Sequence, residues 1–383
     1  MLSAYRRGRT RLRAAARAGL TAQHVMVLCF HGRVIHQPSA GSPDGELIVD
    51  LGAPYDLPRS LEIIQRGAGD PAFRVDPVGH RGGPGGTPGA GAWACFRLWS
   101  PASALEQGQV LLRLDQLDAA RVRARAWCAG AEASPAELAR TALARVPALL
   151  GAGDDWAGFE HLLTTSEDEQ SAGLERIRRR HPGVRLPSSG QLLDQLVTVV
   201  LEQKVTHDQA RHGWRQLLRR HGERPPGPAP AWMRLPLTAG QLRAVPSWEW
   251  HQMWVQPPMA ATIRRVAERA SALHRLAGSP AGVRSLEELA GILTAIDGVG
   301  SWTAAETLQR THGAADLLAV GDYHLPALVG EALTGSRTDD AGMLRILRPW
   351  RGHRQRVVRL IRVSGYRHQK FGPRLSPADH RSR

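Results

Sequence analysis

The stretch Ile296-Asp297-Gly298-Val299-Gly300-Ser301-Trp302-Thr303-Ala304 is the most informative part of this chain of 383 residues. Two glycines separated by one residue allow the backbone to turn sharply, and apolar residues at helical spacing stand on both sides. The stretch therefore predicts two helices joined by a tight hairpin. Because amides at a helix N-terminus attract anions, it also predicts a phosphate-binding site. The candidate residues are Gly298, Val299, Gly300, Ser301 and Thr303.

A carboxylate follows the hairpin at Asp322, 24 residues after Gly298. One interpretation is structural, because Asp often caps the N-terminus of a helix, and Leu325-Pro326 is a plausible helix start. The other is functional. A carboxylate held beside a bound phosphate is suited to chemistry on a nucleotide within DNA.

The net charge of +15 is concentrated at the two ends of the chain. Residues 1–20 contain six Arg and no acidic residue, and residues 351–383 contain nine Arg, one Lys and one Asp. Residues 21–350 are therefore neutral as a whole. Basic ends on a neutral body favour a polyanionic partner, most simply nucleic acid, although a basic tail can also serve solubility alone.

The three cysteines, Cys29, Cys95 and Cys128, are scattered along the chain. They form neither a disulfide framework nor a metal-ligand cluster, which indicates a reducing cytoplasm and predicts no metal site. No apolar run approaches the ~20 residues that span a bilayer, and we expect no membrane segment and no secretory signal. We also expect a monomer.

The region 24–150 contains short β-rich runs bounded by turn residues and is predicted to be an α+β domain. The predicted strands are Val25–Phe30, Glu46–Asp50, Ala92–Trp99, Leu111–Leu114 and Val122–Trp127. The Gly/Pro-rich run Val78–Ala92 is predicted to be a mobile loop. A helix is predicted over Ser134–Leu150, with Ser134-Pro135-Ala136-Glu137 as its start signal.

The region 151–366 is predicted to be a larger helical domain, with its boundary at Gly151–Asp155 and a helical pattern from Gln191 onward. The remaining residues, 1–23 and 367–383, are read as basic extensions. The predicted helices include Met259–Ala277, Ser285–Ile296, Ser301–Thr311, Leu325–Leu333 and Ala341–Val363.

The hairpin and the motifs around it resemble the helix-hairpin-helix (HhH-GPD) superfamily of DNA glycosylases, and within it the DNA-3-methyladenine glycosylase II branch. GVGSWTA (298–304), GDYHLP (321–326) and LEQKVT (201–206) carry the resemblance in the family's order. PSWEWH (246–251), RPWRGHRQRV (348–357) and FGPRL (371–375) are similar to one bacterial subgroup. The resemblance implies an all-α helix-hairpin-helix glycosylase domain preceded by a TATA-binding-protein-like antiparallel sheet with helices.

The resemblance also implies a chemistry. Asp322 matches the catalytic carboxylate, which stabilises the positive charge that develops on the sugar or activates water. Trp302 stands where members with AP-lyase activity carry a lysine, so a monofunctional enzyme is implied. The four-cysteine iron–sulfur motif of another branch is missing, and no cofactor is expected beyond a monovalent cation that the hairpin carbonyls could bind.

Trp302 and Tyr323 are the candidate walls of a pocket for an extruded base, since electron-rich rings attract a cationic alkylated purine. A core position that fixes the hairpin is an equally open role for Trp302. Glu306 and Arg359 stand where some relatives carry aromatic residues, which leaves the lesion preference open.

Gln203 and Lys204 match the family's wedge, the residue that fills the gap left by an extruded base. A solvated turn is the alternative for both. Trp248, Trp250 and Trp254 form an aromatic run around His251, for which packing is the commoner role and stacking on DNA the rarer one.

The sequence thus predicts a monofunctional glycosylase that releases alkylated bases such as 3-methyladenine from duplex DNA, in the cytoplasm and associated with the nucleoid. Two alternatives stay open. One is a glycosylase for deaminated or oxidised bases, and the other is a non-catalytic DNA-binding protein that kept the hairpin.

Overall fold

Residues 45–129 contain a five-stranded antiparallel sheet. The computed structural model describes residues 41–76, 89–100, 103, 105–278 and 285–367. The strands are β1 (Gly45–Asp50), β2 (Phe73–Val75), β3 (Gly91–Trp99), β4 (Glu106–Gln116) and β5 (Arg121–Ala129), in the spatial order β1-β5-β4-β3-β2. The antiparallel sheet is thereby confirmed. The predicted strand Val25–Phe30 and most of the predicted loop, residues 78–88, lie outside the described residues.

The sheet is buried on both faces, because successive side chains of a strand point in opposite directions. Leu112 and Leu114 of β4 pack into a core with the helices on one side. Leu111 joins a second core on the other side, built mainly from residues 192–314. The helices of the first side are α1 (Leu57–Leu61), α2 (Pro135–Ala144) and α3 (Val146–Leu149). The likeness to a TATA-binding protein stays a prediction, as does the division into two domains.

The rest of the described chain is mainly helical, with loops between the helices, and it includes the helix that follows the hairpin. They are α4 (Ala157–Thr165), α5 (Glu169–Arg180), α6 (Leu192–Val200), α7 (His207–His221), α8 (Ala239–Ala244), α9 (Ser247–Gln252), α10 (Pro257–Glu268), α11 (Ala270–Gly278), α12 (Leu286–Thr294), α13 (Ser301–Thr311), α14 (Leu325–Thr334), α15 (Asp340–Ile346) and α16 (Arg354–Val363). Helix α13 packs on α6, and α6 also contacts α10 and α11. The hairpin is therefore supported by the central helices of the second core.

Several predicted boundaries hold and others do not. Ser301–Thr311 forms α13 as predicted, and Ser134 caps α2 through a capping box with Glu137. The helix predicted over Ser134–Leu150 ends at Ala144 and restarts, with Pro147 near the start of α3. Proline has no amide hydrogen and cannot continue the hydrogen-bond ladder.

The helix predicted over Ala341–Val363 is wrong, because the chain there forms α15, a short 3₁₀ turn and α16. Pro349 lies in that turn, and Gly352 adopts a left-handed conformation with φ of 90°. Neither residue allows a continuous helix. The helix predicted over Met259–Ala277 is likewise divided, at Arg269, while α4 and α5 were not predicted individually.

Candidate active site

The hairpin forms between α12 and α13 as the sequence predicts, and its first glycine is required by close packing. Gly298 has φ of 91°, and a methyl group at its Cα would overlap the hydroxyl of Thr262 in α10. The amide of Val299 donates to the carbonyl of Ile296 at 2.9 Å, and both side chains are buried in the second core. The hairpin backbone therefore lies directly against α10.

The N-terminus of α13 is an exposed anion-attracting end. Gly300 is the N-cap residue and has no side chain to cap the first turn. The amides of Ser301, Trp302 and Thr303 begin the helix, where the orphan N–H groups and the helix dipole favour a phosphate oxygen. Asp297 is exposed beside this end, and its negative charge opposes a phosphate there.

Gln203 connects the turn after α6 to the hairpin. Its side-chain amide donates to the carbonyl oxygen of Gly298 at 2.8 Å and to the hydroxyl of Thr303 at 2.9 Å. The next residue, Lys204, is exposed and has a left-handed backbone with φ of 53°. Gln203 and the predicted phosphate-contacting residues are thus brought together, with Lys204 beside them. The wedge role of Gln203 or Lys204 stays a prediction.

Asp322 is half-buried and both of its carboxylate oxygens accept hydrogen bonds. Oδ1 accepts from the amides of His324 at 2.8 Å and Leu325 at 2.7 Å, which start α14. Oδ2 accepts from the indole Nε1 of Trp302 at 3.1 Å. The N-cap residue of α14 is His324. Asp322, two residues earlier, accepts from the first amide of α14 and also contacts the first turn of α13, so a structural and a functional role are compatible in one residue.

The two predicted pocket walls differ in their surroundings. Trp302 is half-buried and packs against a third core, formed by buried residues within 156–174 and 318–361. Tyr323 is 85% exposed and meets the ring of His324 edge to face, with centroids 4.9 Å apart. Trp302 thus contributes both to core packing and to the surroundings of Asp322, and Tyr323 projects into solvent next to that carboxylate.

A buried charged network lies behind this site and was not predicted. Glu306 and Arg310, one turn apart on α13, form an ion pair at 2.6 Å. Arg66, from the segment between α1 and β2, pairs with Glu202 at 3.1 Å. Glu202 directly precedes Gln203, so the network adjoins the residue that contacts the hairpin. The spacing of Glu306 and Arg310 was a sequence signal for one pair.

The network shifts the pKa values of its members. Burial alone would raise the pKa of Glu306, but the positive charges of Arg310, Arg362 and Arg66 outweigh burial and hold that pKa below its ordinary value. Burial lowers the pKa of Arg66 to about 10, and the charge of Arg310 acts in the same direction. Glu306 is therefore ionised and paired near neutral pH.

The described residues contain no group of three or more His, Cys, Asp or Glu side chains that could hold a metal ion. Cys95 and Cys128 are buried free thiols. No helix within the described ranges is long and apolar enough to cross a membrane. The hairpin carbonyl of Gly298 accepts from Gln203, and a cation site at the hairpin stays a prediction.

The fold is similar to that of several solved DNA glycosylases. The chain is similar to the 3-methyladenine DNA glycosylase from Archaeoglobus fulgidus, with a TM-score of 0.62, 13% identity, and coverage of 83% of this chain and 98% of the other. It is also similar to the 8-oxoguanine glycosylase/lyase of Clostridium acetobutylicum in its apo form, with a TM-score of 0.54, 10% identity, and coverage of 82% and 95%. The same enzyme with double-stranded DNA containing cytosine opposite 8-oxoguanine gives a TM-score of 0.54 at 9% identity, covering 84% and 96%. No protein-family model and no curated protein matches the sequence.

Proposed function

We propose that the protein is a monofunctional DNA glycosylase of base excision repair that flips alkylated bases such as 3-methyladenine from duplex DNA and releases them by hydrolysis. The observation that carries the proposal is the position of Asp322, hydrogen-bonded to the first turn of the hairpin helix through Trp302. A phosphate bound at the N-terminus of α13 fixes the DNA backbone within reach of that carboxylate. Structural neighbours of both 3-methyladenine and 8-oxoguanine type support glycosylase chemistry in general.

The reaction assigned to this site breaks the N-glycosidic bond between C1′ of the sugar and the base nitrogen. The base leaves with the bonding electron pair, and positive charge develops on the sugar. The Asp322 carboxylate stabilises that charge, and a water molecule then forms the new bond to C1′ while one of its protons passes to the carboxylate and from there to solvent. The carboxylate oxygens of Asp322 are already oriented by the amides of His324 and Leu325 and by the indole of Trp302. The carboxylate therefore does not need to reorganise during the reaction.

The test is release of free base from duplexes that each carry one lesion. We expect release from a duplex containing 3-methyladenine or 7-methylguanine and little release from an undamaged duplex. DNA binding without release from any lesion would support the non-catalytic alternative and refute the proposal.

Hydrolysis without strand cleavage is the second part of the proposal. Trp302 occupies the position where a lyase would present a lysine amine, so we expect an intact abasic strand as product. Lys204 is the lysine that the described residues place beside the hairpin. Trapping of a covalent protein–DNA adduct with borohydride, lost in Lys204→Ala, would overturn the monofunctional assignment.

A second lesion class is favoured by one observation. Glu306 lies one turn after Trp302 on α13 and brings a buried ion pair close to the candidate pocket, where a purely aromatic wall would suit a cationic base. Polar groups read a flipped base through hydrogen bonds to its edge, which does not require a cationic base. Duplexes with a deaminated or an oxidised base therefore belong in the same panel, and preference for one of them would replace the alkylation assignment.

The remaining features of the proposal concern context. One copy of the chain binds duplex DNA as its partner. The protein acts in the cytoplasm, in association with the nucleoid. Sedimentation of the protein with and without a lesion duplex tests the stoichiometry.

A further inference from the structure

A second aromatic surface lies away from the hairpin, on α7 and α9. It is an open cleft of about 830 Å³. From α7 come His212, Gln216 and Arg220, spaced four residues apart on one helical face. From α9 and the turn after it come Ser247, Trp248, His251, Gln252 and Trp254. The catalytic proposal uses none of these residues.

Two tryptophans give this cleft its chemistry. Trp248 is 64% exposed, which is unusual for so large an apolar ring. Trp254 stacks on the imidazole of His212, with ring centroids 4.0 Å apart and planes at 17°. Their neighbour Trp250 is buried in the second core, so the aromatic run divides into one packing residue and two cleft residues.

The backbone of Trp254 is held in an unfavourable conformation. Its φ of 64° lies in the left-handed region, where a bulky side chain is rarely found. The amide of Trp254 donates to the carbonyl of His251 at 3.0 Å, and the amide of Val255 donates to that of Trp250 at 3.0 Å. A glycine would satisfy this turn with less strain, so the tryptophan at this position adds backbone strain.

We propose that this cleft binds an unpaired segment of DNA by stacking its bases on Trp248 and Trp254. The residues that line the cleft include no carboxylate, and the guanidinium of Arg220, held by Gln252 at 2.9 Å, supplies a cation for the phosphates. The flat rings of the two tryptophans match the π-faces of unpaired bases, and the guanidinium of Arg220 matches the negative charge of the strand's phosphates. Stacking tolerates any base, so the site has no sequence preference.

The position of the cleft fits a strand that continues from the hairpin. Helix α7 begins three residues after Lys204, and Val255 packs beneath Gly213 in the middle of α7. Helix α10, which starts just after the cleft at Pro257, carries the Thr262 that contacts Gly298. The cleft on α7 and α9 is therefore flanked along the chain by two segments that contact the hairpin, the turn with Gln203 before α7 and helix α10. The inference rests on the proposed function only in taking DNA as the partner.

Fluorescence anisotropy with a labelled single strand of about twelve thymidines tests the proposal on the full chain. The measurement is made at about 0.3 M salt, where binding by the basic ends is weakened. Trp248→Ala and Trp254→Gly are each expected to weaken binding about tenfold or more, the loss of one base–aromatic stack. Leu105→Ala is the matched control, because Leu105 is 65% exposed and lies outside the cleft.

A strand of the same length made of abasic sugars separates stacking from charge. Wild type is expected to bind it more weakly than Trp248→Ala binds the thymidine strand, because a strand without bases loses both stacks and the variant loses one. Equal binding of both strands by the wild type would overturn the proposal, as would unchanged affinity in the two tryptophan variants. Competition with thymidine monophosphate is a further test. If the monophosphate displaced the whole labelled strand at a concentration near the Kd of that strand, the cleft would be a mononucleotide site and the proposal would be overturned. Base release from lesion duplexes is measured separately, so failure of the cleft and failure of the glycosylase assignment give different results.

Discussion

The indole Nε1 of Trp302 donates a hydrogen bond to Oδ2 of Asp322 at 3.1 Å. This bond joins the first turn of the hairpin helix to the residue that starts the next helix. It links the N-terminal end of α13, where we propose that a phosphate binds, to the carboxylate. Positioning of the carboxylate is therefore coupled to the hairpin.

Removing the indole N–H should lower activity more than stability. Trp302→Phe keeps an aromatic ring but loses the donor, and we expect the rate of base release to fall about tenfold, the value of one hydrogen bond to a charged group. DNA affinity should change little. Trp250→Phe is the control, because the buried indole N–H of Trp250 has no hydrogen-bond partner within the described structure. An equal loss of activity in both variants would indicate a general effect of packing.

Neutralising the carboxylate should abolish base release without unfolding the protein. In Asp322→Asn the side-chain oxygen still accepts from the amides of His324 and Leu325, so we expect a loss of at most about 1 kcal/mol in the free energy of unfolding. The single-turnover rate should fall by about 10²-fold or more. Asp339→Asn tests capping alone, since Asp339 caps α15 through Gly342 at 2.7 Å, and it should leave activity intact. Wild-type rates in Asp322→Asn would exclude the catalytic role.

The two hairpin glycines should respond differently to a methyl group. Gly298→Ala forces an alanine into φ of 91° and against Thr262, so we expect destabilisation of about 2 kcal/mol or more and weaker DNA binding. Gly300→Ala enters open space at φ of −90° and should cost about 1 kcal/mol or less. Chemical denaturation of both variants measures the difference. Adding Thr262→Ala should recover part of the loss at Gly298, and no recovery would show that backbone strain alone is responsible.

Breaking the buried ion pair should destabilise the protein in a pH-dependent way. Glu306→Gln leaves Arg310 buried without its carboxylate, which typically costs about 3–5 kcal/mol. The pKa of Glu306 is depressed in the folded state, so its contribution is fully present above the unfolded value of about 4.3 and is lost as pH falls through the folded value. The stability difference between wild type and variant should therefore shrink in acid. Glu331→Gln breaks the more exposed pair with Arg337 and should cost about 1 kcal/mol or less.

Deletion of the last basic segment should separate folding from charge. Removing residues 351–383 deletes α16, whose Val357, Val358, Leu360 and Ile361 are buried in the third core, and we expect loss of cooperative unfolding. Removing residues 368–383 alone should leave a folded protein with weaker and less salt-sensitive DNA binding. Circular dichroism during thermal unfolding distinguishes the two outcomes. A folded protein lacking residues 351–383 would contradict this assignment of core residues.

Local signals predicted the hairpin well. Helix α13 has the predicted bounds because Gly300, a poor helix residue, directly precedes a strong apolar period. The helix predicted over Ala341–Val363 is wrong because Pro349 and Gly352 interrupt it, although apolar residues at helical spacing lie on both sides of them. Turn chemistry would have identified that break.

Contacts between distant segments could not be predicted. Gln203 and Gly298 are 95 residues apart, and Arg66 and Glu202 are 136 apart. Each pair depends on how the sheet and the central helices pack, which no local pattern encodes. The proximity of Trp302 and Asp322, in contrast, was predictable, because the family resemblance assigns both residues to one site. The hydrogen bond between them was not predicted.

The pair of Arg66 and Glu202 determines where along the chain a substitution can affect the hairpin. A substitution at position 66, in the N-terminal third of the chain, removes the partner of the residue next to Gln203 and disturbs the hairpin from a distance. Substitutions that disturb the hairpin should therefore occur in the sheet region as well as at the hairpin itself. Isolating the helical part, or grafting it onto another sheet, should disturb the hairpin unless an arginine is restored opposite Glu202.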